Sequence, residues 1–211
     1  MEEVIGISHL GFRAIIDGLE EILGLNGMRA LLRYTGFQSL IEHPLEYDLG
    51  SRMEVADTNR LFRGIREIVG NKGYNSLMYR GGILTIKAAH SHSEALQTIV
   101  STEMTPEEKI KQLYYIYLNT IGLKLEEVVE FFPEKKELLI HRVGCYECGD
   151  IFKNREICKD ITRPGCATIL GGTYQVGNLR PDLVTAQAEE IKCRLMGHDE
   201  CIFQVKYELK K

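Results

Sequence analysis

The apolar residues of this chain change period part-way along, and that change limits the fold more than any other feature. Upstream of Gly122 they recur every three or four positions. Phe12, Ile15, Ile16, Leu19, Ile22 and Leu23 form one stripe, and Leu61, Phe62, Ile65, Ile68 and Val69 a second. Ile110, Leu113, Tyr114, Tyr117, Leu118 and Ile121 form a third. Such spacing is one face of an α-helix. Downstream the pattern becomes short and alternating. EEVVEFF and ELLIHRV, separated by PEKK, predict a hairpin, and CIFQVKYEL places Cys201, Phe203, Val205, Tyr207 and Leu209 on one face of a strand. Helices first and strands second predict an α+β fold: a helical N-terminal part, then a small antiparallel sheet with packed helices.

Local signals set the expected boundaries. The Gly24 to Gly27 segment should stop the first helix, and a short one should follow through Met28 to Tyr34. Asp57 can cap a third, broken at Gly70 and Gly73, with the RGG at 80 to 82 separating it from a further helical stretch. Thr105, Pro106 and Glu108 make a capping box with proline at the first helical position. A helix should begin at Cys166, after the Pro164-Gly165 turn, and a strand should span Val184 to Ile191. No internal repeat is apparent. The chain is expected to hold a helical region over 1–104 and an α+β region over 105–211, together one compact unit.

With 211 residues, 44% hydrophobic and 27% charged, the chain can bury a core without disulfides. Its net charge of −4 gives no field to attract nucleic acid. No apolar run approaches the roughly 20 residues of a membrane span, and the acidic start MEEVIGISHL lacks the basic n-region of a signal peptide. The expectation is a cytoplasmic protein that neither spans a membrane nor binds nucleic acid.

All six cysteines lie in the last third of the chain, which in a reducing compartment points to metal or redox chemistry. Glu190, Cys193 and Cys201 supply three candidate ligands for zinc, which takes thiolate, imidazole and carboxylate donors in a tetrahedron. Along a straight strand Glu190 and Cys193 would point to opposite faces, so the site requires a bend or bulge after Glu190. Cys166, at a helix start, is the candidate fourth ligand, with Cys158 in reserve. His198 shares the loop but reads as a solvated side chain beside Asp199, and His90 and His92 read as helix-surface residues. Cys145 and Cys148 form a Cys-x2-Cys that, with Cys158, offers a second thiol or metal site.

The order Cys166, Gly171, Glu190, Cys193, Gly197, Cys201, Phe203 resembles the signature of the V4R (4-vinyl reductase) domain, C-x4-G followed by E-x2-C-x3-G-x3-C-x-F. GCYECGDIF and RPGC upstream, and GLNGMRALLRYTGF and IVGNKGYNSLMYRGG near the N-terminus, are similar to segments of longer members. The resemblance implies a Bet3-type fold of vesicle-tethering complexes and a homodimer. By likeness to phenol-sensing activators, it also implies zinc on Cys166, Glu190, Cys193 and Cys201 beside a pocket for a small hydrophobic or aromatic ligand.

The expected function is therefore a zinc-stabilised ligand sensor whose output passes through a partner protein. Tyr114, Tyr115, Tyr117, Phe131 and Phe132 are available to line its pocket or to pack the core. A vinyl reductase of tetrapyrrole synthesis and a non-catalytic adaptor are the alternatives. No hydride-carrier or P-loop motif supports the enzyme, and no catalytic residue is assigned.

Overall fold

The structure is a computed structural model, and it describes residues 6–120, 129–142, 166–179 and 184–210. The helical part contains α1 (His9–Tyr34), α2 (Ser39–Glu42), α3 (Val55–His92), α4 (Glu94–Ser101) and α5 (Pro106–Thr120). The remainder holds β1 (Val129–Phe132), β2 (Glu137–Arg142), α6 (Ala167–Gly177), β3 (Val184–Lys192) and β4 (Cys201–Leu209). The architecture is α+β, as the change of period predicts. Among the described residues the strands form one antiparallel sheet in the order β1-β2-β4-β3. No described helix is long and apolar enough to cross a membrane.

The hairpin forms as the sequence dictates, with a 3-10 turn at Pro133–Lys135 and Lys136 in the left-handed region. The capping box is also present: Glu108 N donates to Thr105 Oγ1 (3.3 Å) and Thr105 N donates back to Glu108 Oε2 (3.2 Å). Ser8 caps α1 by accepting from Gly11 N, and its hydroxyl donates to the last carbonyl of α5, Thr120 O, at 3.0 Å. Two further donors at the start of α1, His9 N and Leu10 N, are satisfied by Ser51 O and Asp48 O.

Two boundary expectations hold and two are corrected. Gly24 and Gly70 interrupt the helices as expected: each takes a non-helical conformation, and a second helical segment follows directly, counted here within α1 and α3; the RGG at 80 to 82, by contrast, lies inside α3 and breaks nothing. Asp57 lies inside the first turn of α3 and pairs with Arg60 at 2.8 Å, while Glu54 holds the N-cap position. The helices continue because the far side of each kink carries its own buried face: Met28, Leu31 and Leu32 in α1, Tyr74 and Met78 in α3.

The expectation of no internal repeat is corrected as well. The kink glycines have nearly the same backbone geometry, φ 70°, ψ 165° at Gly24 and φ 69°, ψ 168° at Gly70. Gly18, Gly24 and Gly27 of α1 then stand in register with Gly64, Gly70 and Gly73 of α3, and buried Ile15, Ile16 and Leu19 with buried Leu61, Phe62 and Ile65. Packing is reciprocal. A Cβ on Gly18 would meet Gly81 O and Leu84 Cβ of α3, while one on Gly64 would overlap Thr35 at the end of α1. The helical part is built around two copies of one kinked helix, packed as a local pair.

Candidate functional site

The C-terminal half of the fold converges on α6. Tyr114 and Tyr117 of α5 are buried and donate to its carbonyls, Tyr114 to Thr173 O (2.6 Å) and Tyr117 to Ile169 O (3.2 Å). Burial, and then the neighbouring Tyr117, push the Tyr114 hydroxyl far above the ordinary tyrosine range, so it stays a neutral donor. At the other end Asn178 clamps α6 to β3, donating to Ala186 O (2.9 Å) and accepting from Ala186 N (3.1 Å). Against α3 the approach is backbone to backbone. A Cβ on Gly82 would overlap Thr168 O and lie 2.9 Å from Gly172 N, and one on Gly171 would overlap Tyr79 O.

Held in this way, α6 presents its N-cap residue, Cys166, to the sheet. Glu190 of β3 pairs with Phe203 of β4, but Lys192 pairs with Ile202, a one-residue slip. The slip is the bulge the sequence required: past it, Cys193 returns to the side of the sheet that Glu190 and Cys201 face. Cys166, Cys193 and Cys201 are each fully buried and Glu190 nearly so, whereas Glu189 is exposed. The ligand atoms of Cys166, Glu190 and Cys201 all lie within 4.8 Å of one another. The two sulfurs are 3.7 Å apart.

Cys193 is buried at the end of β3 but does not belong to that three-atom group. The turn between the strands, Arg194–Met196, brings Arg194 N to 3.4 Å from Cys201 Sγ, to which it donates a hydrogen bond. Gly197 closes this turn at φ 92°, the left-handed geometry that favours glycine. Arg142 of β2 pairs across the sheet with Cys201 and is almost wholly buried, which puts a cation on the same side as the cluster. Sequence reasoning passed over Arg142. The signal was parity: it follows Leu138 and Ile140 on the inward face of β2.

The other candidates do not join this group. His198 is exposed, and His92 is exposed with its ring stacked on Tyr47. Cys145, Cys148 and Cys158 lie outside the described residues. Tyr117 lines a small apolar cavity at the junction of α1, α3 and α6, with Ile7, Ile15, Phe62, Arg142 and Ile169 among its other walls. Phe131 instead stacks on Tyr207, and Phe132 lies under Lys135.

No family model and no curated protein matches the chain. Solved structures do. A doubly substituted Tt H-NOX has a TM-score of 0.61 with this chain, covering 97% of it and 96% of its own length at 12% identity. The fold is similar to that of H-NOX domains. An oxygen-binding H-NOX domain related to soluble guanylate cyclases gives 0.57 at 13% identity, with coverages of 94% and 92%. A structure described as probing haem distortion in the H-NOX family gives 0.59 at 11% identity, with coverages of 97% and 96%. At such identities the likeness establishes fold alone.

This overturns the V4R assignment. The spacing match from Cys166 to Phe203 rests on a handful of positions, whereas the H-NOX likeness extends over nearly the whole of both chains. The Bet3-type fold, zinc as the resident ion, ligand sensing of the phenol-activator kind, and the vinyl reductase and adaptor alternatives all depend on that family or its relatives. They fall with it, because the neighbours in fold are described as haem and oxygen-binding proteins.

Proposed function

We propose that this chain is a metal-holding module of H-NOX-like fold, in which an ion that prefers thiolate sits between Cys166, Glu190 and Cys201, with Cys193 as the adjacent fourth donor. The supporting observation is three buried ligand atoms, from α6, β3 and β4, within 4.8 Å of one another. A tetrahedral site with metal–sulfur bonds of roughly 2.3 Å has edges of roughly 3.8 Å; the Cys166–Cys201 separation is 3.7 Å. Thiolates and a carboxylate around a divalent ion leave excess negative charge, which buried Arg142 offsets from β2. Such an ion would tie α6 to both strands. The binding energy of a site absent from the unfolded chain becomes folding energy.

The neighbours in fold raise haem as another occupant, and the described residues do not fit it. The cavity measures about 20 Å³, where even a drug-sized ligand needs a pocket of roughly 300–1,000 Å³. Haem iron takes His, Cys, Met or Tyr as axial ligand. Of these types only Tyr117 lines the cavity, and its hydroxyl is engaged with Ile169 O. The glycine contacts bring α3 and α6 together backbone to backbone beside this cavity, leaving no larger space there. A cavity of this size suits an occupant no larger than water or a diatomic gas.

Elemental analysis of the full chain purified without chelator tests the reading, with Co2+ as a spectroscopic probe. One ion per chain is expected, with sulfur-to-cobalt charge-transfer absorption that disappears in Cys201→Ser. Protein that takes up no ion refutes the metal centre. Stoichiometric haemin uptake with a shifted Soret band would establish the haem occupant in its place.

A further inference from the structure

We infer that Cys166 and Cys201 are a reversible disulfide site, oxidised by hydrogen peroxide or an organic hydroperoxide. The pair sits at 3.7 Å, sulfur to sulfur, with both side chains fully buried. A disulfide needs the sulfurs at roughly 2.05 Å, so each must advance by less than one ångström. Their backbones are also the two parts of the site least alike in attachment: Cys166 caps α6, while Cys201 opens β4. Rotation of the Cys166 side chain at a helix end requires no strand to slip.

The chemistry balances with the peroxide as the only oxidant. One sulfur attacks the peroxide, the O–O bond breaks, and an alcohol or water leaves as the sulfenic acid forms. The second sulfur attacks that sulfenic sulfur, the S–S bond forms, and the oxygen departs as water with the second thiol's proton. Two thiols lose two electrons and one peroxide gains them. A dithiol reverses the step by exchange.

Surroundings favour the intramolecular product over further oxidation. The resolving sulfur is already in van der Waals contact, so closing the disulfide competes well with a second peroxide molecule. Cys201 lies beneath the turn that runs from Arg194 through exposed Met196, Gly197, His198 and Asp199, and its sulfur accepts from the Arg194 N–H of that turn. The exposed turn is thus the part of the surface in direct contact with the pair.

Regulation of the proposed metal centre follows, and this part rests on that reading. A bound ion occupies the lone pairs that would attack peroxide, and closing the disulfide removes two of its ligands. Oxidation and metal release become one event. The bond replaces a bridge between α6 and β4 through the ion by a covalent one.

The test uses the full chain, reduced and then freed of reductant, in metal-loaded and metal-free forms. Each is treated with one equivalent of hydrogen peroxide, alkylated, and peptide-mapped by mass spectrometry. The expected result is a linked peptide pair containing Cys166 and Cys201, with loss of two hydrogens, recovery on dithiothreitol, and one ion released per disulfide in the loaded form. The metal-free form should react faster. Alkylated Cys166 and Cys201 in a sample whose other cysteines have oxidised would overturn the proposal, as would sulfinic acid at either position or a link from either to Cys193. Wild-type mapping decides this without a variant that folds poorly. A 166–201 disulfide in protein that never binds an ion sinks the metal centre alone; a bound ion with a pair that stays reduced after the ion is stripped sinks the disulfide alone.

Discussion

Gly24→Ala and Gly70→Ala should destabilise the protein by similar amounts. Each glycine sits near φ 70° with ψ close to 165°, a region that only glycine occupies freely, and forcing another residue into it costs about 1–3 kcal/mol. A Cβ at either position meets nothing within 4 Å, so no packing term adds to or relieves that cost. The control is built into the sequence. Gly73, three residues after the second kink, has no positive φ, and a Cβ there makes an ordinary 3.4 Å contact with Val69. Gly73→Ala should therefore stabilise α3 by up to about 1 kcal/mol. Thermal unfolding of the full chain followed by circular dichroism reads all three, at roughly 2–4 °C per kcal/mol for a chain of this size. Neutral or stabilising alanines at 24 and 70 would show that the helices straighten without cost and that their pairing does not impose the kinks. A difference above about 1 kcal/mol between the two would refute their equivalence.

Gly82→Ala drives a methyl into the Thr168 carbonyl and toward Gly172 N, so α6 must move off α3. A loss of about 1–3 kcal/mol is expected, and because α6 carries Cys166, Co2+ affinity should fall with it; unchanged stability and affinity would contradict the crossing. Asp48 gives a pH signature. The Ser51 hydroxyl, then the backbone N–H groups of Gly50 and Ser51, hold its carboxyl down to about 2 from the ordinary 3.8. A depressed carboxylate stabilises the fold above its unfolded value, and that contribution is lost as pH falls from about 3.8 through 2. The loop it orders supplies the acceptors for His9 N and Leu10 N, so α1 should fray from its N-terminus in that window. Carbon-detected NMR titration of the Asp48 carboxyl checks this, and a midpoint near 4 would rule it out.

The strands, and the convergence of Cys166, Glu190 and Cys201, were legible because alternation is a strong local rule. Glu190 and Cys193 have opposite parity, so a common site demanded a bulge between them, and the register slips between Glu190 and Lys192. The helices were less legible because glycine has two meanings. Gly24 and Gly70 read as stops and do interrupt their helices, with buried helical faces resuming beyond them. Gly81-Gly82 and Gly171-Gly172 also resemble breakers, but they are the smooth surfaces on which α3 and α6 cross. Two Gly-Gly pairs, each within an otherwise helical stretch, were the available signal for that contact. The repeat stayed hidden because its copies share period and glycines more than side chains.

The position of α6 links the two features that the fold brings together. Its first residues hold Cys166 at the cluster, and Thr168, Ile169 and Gly172 form one wall of the cavity. Its carbonyls are fixed by Tyr114 and Tyr117, and its end is fixed to β3 by Asn178. A rigid helix of 11 residues anchored at so many points cannot shift at its N-terminus without moving the cavity wall. In the reading proposed above, loss of an ion or closure of a Cys166–Cys201 bond would act at that N-terminus. Arg142, which faces the cluster's side of the sheet and also lines the cavity, provides a second connection. In the reading proposed above, sulfur chemistry at Cys166 would act on the same helix that forms a wall of the small cavity.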